Sequence, residues 1–192
     1  MTESERTRYL RELVPLLWPA PATATLGRAR HRNARRSYLI LPSLAEPRLL
    51  LPRRPRRAAG AAVLGYGEQS SPARRAAVRA GALALAAGAG DLALRDRLEV
   101  GAGPTIEDEL ERDLGRDVLV SLHIGPPRAN RKPVLQILDR RGRTVGFAKV
   151  ATTPLAGQLV AAETATLRVL AAAGLKHLTA PRMLAGGSWN GL

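Results

Sequence analysis

Lys149 stands inside an apolar run, Val145-Gly-Phe-Ala-Lys-Val150. Strand alternation sets Val145, Phe147 and Lys149 on one face and Gly146, Ala148 and Val150 on the other. An ammonium in such a place needs a route to water or an anionic partner. Two readings fit it: an edge strand from which the lysine snorkels to solvent, or an internal ion pair. Glu163 is the candidate partner. Within the helical stretch Leu155 to Ala173 it shares a stripe with Leu159, Leu167 and Leu170, at spacings of four, four and three. Its carboxylate therefore falls on the face expected to pack against a sheet, although a small change of helix phase would turn it to water. Glu163 is the only acidic residue after Asp139, and a lone carboxylate on a buried stripe requires a cation.

A third piece precedes these two. In Gly125-Pro-Pro-Arg-Ala-Asn-Arg-Lys-Pro133, the side chains of Arg128, Asn130, Arg131 and Lys132 carry donors suited to phosphate oxygens. Prolines at both ends limit the freedom of that loop. Taken alone it also reads as an ordinary solvated hairpin loop. The conjunction carries the argument: strand, basic loop, strand, turn, strand with lysine, helix with glutamate.

Regular elements surround these groups in the sequence. Asp117 to Ile124, Val134 to Leu138 and Thr144 to Val150 read as a three-stranded meander, with a tight turn at Asp139-Arg-Arg-Gly142. Upstream, Thr105 is placed to cap a helix that ends at Gly115, with Glu107, Asp108 and Glu109 in its first turn. The acidic run Glu107 to Asp113 reads as a solvated helix face. Arg182 to Ala185 is expected to be a last short strand, followed by a turn at Gly186 to Gly191. Before a break near Gly101-Ala-Gly-Pro104, Glu5 to Trp18, Arg56 to Leu64 and Pro72 to Ala87 read as helices. Ser37 to Pro42 and Arg48 to Pro52 read as strands, and Leu92 to Val100 as a further one.

Composition narrows the function classes. The 192 residues contain 30 Lys+Arg and 16 Asp+Glu, a net charge of +14, with 45% hydrophobic residues and no cysteine. Disulfides and thiolate chemistry are excluded, and a packed core is within reach. His31, His123 and His177 lack zinc-ligand spacing, and no G-x-S-x-G elbow is present. The mixed-charge start and the lack of a long apolar stretch lead us to expect a cytoplasmic protein that does not span a membrane. Most of the excess charge lies in residues 1–75, which hold 15 basic and 5 acidic side chains. Arginines at 28, 30, 32, 35 and 36 and at 53, 54, 56 and 57 raise an alternative function, a non-enzymatic binder of nucleic acid or another polyanion. Only 3% of residues are aromatic, a poor supply for stacking on single strands.

From about Asp117 to Trp189 the chain resembles the N-terminal lobe of kinase-like phosphotransferases, the group that contains aminoglycoside phosphotransferases and choline kinases. The segments Gly125 to Gln136 and Gly146-Phe-Ala-Lys-Val150 also resemble uncharacterised phosphotransferase-like proteins of high-GC bacteria. The resemblance implies an α+β fold: a small antiparallel sheet with a packed helix over residues 101–192, preceded by a basic α/β cap-like region over 1–100. It implies that Lys149 contacts the α/β-phosphates of ATP and that Glu163 orients it. The loop of Arg128, Asn130, Arg131 and Lys132 would lie over the phosphates, although it lacks the G-x-G-x-x-G pattern. Phe147 would line the adenine side, or else serve as a plain core residue. The family's catalytic-loop and metal-binding aspartates have no counterpart after Glu163, so a second lobe is expected to be absent. The function implied is ATP binding by the front portion of a small-molecule phosphotransferase not competent alone, with magnesium bound only alongside a second lobe.

Overall fold

Ser4 caps the first helix, α1 (Glu5–Leu17), its hydroxyl accepting from the Thr7 amide at 3.2 Å. The computed structural model describes residues 3–28, 33–65, 71–125, 132–173 and 179–191. Three short strands follow α1, β1 (Ala24–Gly27), β2 (Arg36–Leu41) and β3 (Leu49–Pro52). Next come α2 (Arg56–Gly65), α3 (Pro72–Ala87), the single turn α4 (Gly90–Ala93) and β4 (Arg97–Val100). The chain continues through α5 (Ile106–Leu114), β5 (Leu119–His123), β6 (Val134–Leu138), β7 (Thr144–Lys149) and α6 (Pro154–Ala172).

The strands form one seven-stranded sheet in the order β1-β4-β2-β3-β5-β6-β7, and every pairing is antiparallel. The fold is α+β, with six helices among the described residues. Pairing of Leu49 with His123 and of Leu50 with Leu122 carries the sheet across residue 101. Four strands from the first hundred residues thus share hydrogen bonds with three from the rest.

Side chains alternate between two cores. On one face Leu10, Leu13, Leu17 and Trp18 pack on Tyr38, Ile40, Leu50, Leu98, Val120, Leu122 and Leu135. On the other, Leu39, Leu49, Leu51 and Leu138 meet Ala58, Ala59 and Ala62 of α2 and Leu85 of α3. The alanines let α2 lie close to α3, where Gly60 leaves room for the Ala82 carbonyl; a Cβ there would stand 2.5 Å from that oxygen.

Several expectations need correction. The strand read from Leu92 begins only at Arg97, because Gly90–Ala93 closes a helical turn and Leu92 is left exposed. Arg182 to Ala185 is irregular backbone; the segment runs on to α1, where the Trp189 indole donates to the Leu16 carbonyl at 2.9 Å. Strand β1 escaped the sequence reading, since four residues, Ala-Thr-Leu-Gly, carry too little alternation to stand out. Among the described residues no helix is long and apolar enough to cross a membrane.

Candidate functional site

The β5-β6-β7 meander builds the site. β7 is bound on one side only, to β6, with Lys149 opposite Val134 and Phe147 opposite Gln136. Opposite residues of an antiparallel pair share a face, so Phe147 and Lys149 project on the side of the sheet that carries α2. Thr153 caps α6, accepting from the Ala156 amide at 3.1 Å, and Pro154 occupies the first turn. The helix then returns past the end of β7. The Lys149 ammonium donates to Glu163 Oε1, closing an ion pair between strand and helix.

The setting of that pair differs from the expectation of an interior one. The Lys149 and Glu163 side chains are 41% and 39% exposed. Of α6 only Ala156 is fully buried, and Leu155, Leu159 and Val169 lie open on its surface, so its leucine stripe is half-covered rather than internal. The reason is sheet order. β7 is an edge strand, and among the described residues no further strand extends the platform beneath the helix. Both readings of Lys149 therefore hold together: it is an edge-strand lysine with a route to water, and it is paired.

Hydrogen bonding from Lys149 is the main influence that lowers the Glu163 pKa; burial opposes it, and the charges of Lys149 and Lys132 add to the lowering. Lys132, half-buried at the end of the basic loop, thus acts on the same carboxylate. The backbone ties this corner together, with the Val150 amide donating to the Pro133 carbonyl at 3.1 Å. Phe147, 57% exposed, is a surface residue beside Lys149 and not a core one. Arg128, Asn130 and Arg131 lie outside the described residues. A groove of about 600 Å³ between α6 and residues 182–185 is lined by Leu167, Arg168, Met183 and Leu184. Neither Lys149 nor Glu163 lines it. No family model matches the chain, and no curated protein or solved structure proves similar to it.

The arginines of the first half are largely engaged within the fold. Arg35 forks onto Asp108 at 2.8 and 2.9 Å, and Arg36 reaches Asp108 at 3.0 Å and Glu111 at 3.4 Å. Arg28 reaches Asp96 at 3.5 Å, and Arg53, Arg54 and Arg56 converge on Asp91.

Glu107 overturns the reading of the acidic run as a solvated face. It is fully buried, accepting from the Trp18 indole at 3.1 Å and from the Tyr38 hydroxyl, with Arg36 Nε 3.7 Å away. Burial pushes its pKa up to about 7, against the opposing charge of Arg36. Its spacing of three and seven from Leu110 and Leu114 carried the signal, because it places Glu107 on the apolar stripe. Its neighbour Asp108 completes a capping box with Thr105.

Proposed function

We propose that the chain binds a nucleotide through its phosphates at the Lys149–Glu163 pair, in the manner of the N-terminal lobe of a kinase-like phosphotransferase. One observation carries the reading: a strand lysine held by a helix glutamate on an open surface, with an exposed aromatic ring two residues away on the same face. An exposed pair contributes about 0–1 kcal/mol to stability, so folding places little demand on these residue types. A phosphate fits the arrangement, because Glu163 holds the ammonium in place while more than a third of the lysine side chain stays accessible. Lys132 adds a second cation within reach of the same carboxylate. Phe147 offers an apolar surface for a base.

In this reading Lys149 is the phosphate ligand, Glu163 a positioning residue, and Arg128, Asn130, Arg131 and Lys132 the groups that lie over the phosphates. Among the described residues no group of three or more His, Asp or Glu side chains stands where it could hold magnesium. The proposed activity is therefore binding, and transfer to a small-molecule acceptor depends on groups this sequence does not supply. The nucleic-acid alternative has less support, because the described arginines of 28–36 and three of those at 53–57 meet carboxylates rather than forming an unpaired track.

Thermal unfolding with ATP, with and without magnesium, tests the proposal. ATP at a hundred times its dissociation constant stabilises the native state by about 2.7 kcal/mol, and Lys149→Ala abolishes that gain. An equal gain in Lys149→Ala, or none in the wild type at millimolar ATP, overturns it.

A further inference from the structure

A second concentration of charge lies just after β3, away from the β7 edge. Arg97 on β4 is almost wholly buried, 2% exposed, with Nη1 3.6 Å from Asp91 Oδ1 and Nη2 donating to the Asp91 carbonyl at 3.4 Å. On the solvent side, Arg53 Nε reaches Asp91 Oδ1 at 2.6 Å, while Arg54 and Arg56 reach Oδ2 at 3.4 and 3.2 Å. Four guanidiniums thus gather around one carboxylate. Burial would raise the Asp91 pKa, but the arginines outweigh it and hold the group ionised.

The outer arginines are held in place and still accessible. Arg56 is clasped by Gly88, whose φ is +103° and whose missing Cβ would stand 2.6 Å from the guanidinium carbon. A side chain at residue 88 would displace the arginine. Arg54 and Arg56 nevertheless keep 57% and 43% of their side-chain surface open. Each guanidinium carries five donors, and two carboxylate oxygens accept only about four hydrogen bonds among them. Like charges gathered this tightly repel one another, and an anion relieves the repulsion. Planar forks match the oxygens of phosphate.

We propose that Arg53, Arg54 and Arg56, gathered by Asp91, form a binding site for a small phosphate-class dianion, either free phosphate or the terminal group of a monoester. The site is independent of the nucleotide site. Arg53 and Arg54 directly follow β3, and β3 and β7 are three strand spacings apart in the sheet order, about 14 Å. The site is also compact rather than a track for a polymer. Gly88, which touches Arg56, ends α3. Arg74 and Arg75 lie near the other end of that helix, about 20 Å away at 1.5 Å per residue.

The test is titration with inorganic phosphate and, separately, methyl phosphate, followed by calorimetry at an ionic strength held constant with chloride. Saturable binding is expected in the wild type and in Lys149→Ala, weakened at least tenfold in the double variant Arg54→Ala/Arg56→Ala. Arg54→Lys, which keeps the charge and loses the fork, is expected to weaken it by a smaller factor and guards against misfolding of the double variant. Binding of methyl phosphate assigns the site to a monoester, and binding of inorganic phosphate alone assigns it to the free ion. Loss of binding in Lys149→Ala with retention in the double variant places the phosphate at the other site and overturns this proposal. A response to heparin or duplex DNA with none to either small phosphate also overturns it.

Discussion

Glu107 and Glu163 are both helix glutamates facing a sheet, yet their surroundings push them in opposite directions. Glu107, on α5, is sealed by Trp18 at the end of α1 and Tyr38 of β2, and burial lifts its pKa to about 7 despite Arg36. Glu163 stands at the edge strand with 39% of its side chain open, and Lys149 lowers its pKa. The Asp91–Arg97 centre belongs with Glu107, since its arginine is buried beside a carboxylate. The contrast separates two uses of charge. In the sheet's interior, ionic groups are bound into the fold, and removing a partner strands the other without water. At the β7 edge the pair rests in solvent, so its removal touches ligand binding more than folding.

The largest effect is expected from Asp91→Ala, which removes the carboxylate that buried Arg97 and three further arginines meet and should cost about 3–5 kcal/mol in urea unfolding. A loss below about 1 kcal/mol would place this centre with the solvent-exposed pairs instead.

Next in size is the pH dependence governed by Glu107. Its folded pKa lies above the ordinary 4.5, so the native state binds the proton more tightly than the unfolded chain does. Its contribution is then complete below pH 4.5 and disappears as pH rises through about 7. A shift of that extent corresponds to a difference on the order of 3 kcal/mol. Glu107→Gln should flatten the stability profile across this window; an unchanged slope would show that another group governs it. Asp139 acts in a separate, more acid range. The Arg143 amide is foremost in holding its pKa down to about 2, with the Arg143 guanidinium and the Arg141 amide adding to it. Its contribution is present above pH 3.8 and is lost as pH falls towards about 2.

A smaller change, about 1 kcal/mol, is expected for Thr105→Ala, which removes the hydroxyl that accepts from the Asp108 amide at the start of α5. Chemical denaturation reads it directly, and a much larger loss would mean that the cap also holds Glu107 in place. The smallest stability effect, under about 1 kcal/mol, is expected for Lys149→Ala. A loss of several kcal/mol there would place the pair with the buried centres and remove the ground for assigning it to a ligand.

The capped helix from Thr105 to Gly115 was legible because its signals are local. Thr105 satisfies amides within one turn, and Gly115 takes φ +62° at the end. The meander and its tight turn were legible for the same reason, with apolar alternation bounded by Asp139 and Gly142. The contact of Lys149 with Glu163 could also be anticipated, since alternation gave the face of one and helical spacing the face of the other. Its exposure could not. That depends on β7 closing one end of the sheet, which follows from pairings among strands distant in sequence.

Residue types and their short-range spacing thus determined by themselves where most helices and strands begin and end, and which cation and anion could meet. Caps, alternation and proline stops act within a few bonds of the residues that carry them. Only the tertiary structure decided which charges lose their water. Glu107 is enclosed by Trp18 and Tyr38, which are 89 and 69 residues away along the chain. Desolvation depends on everything packed around a group, and residues far apart in the chain do that packing.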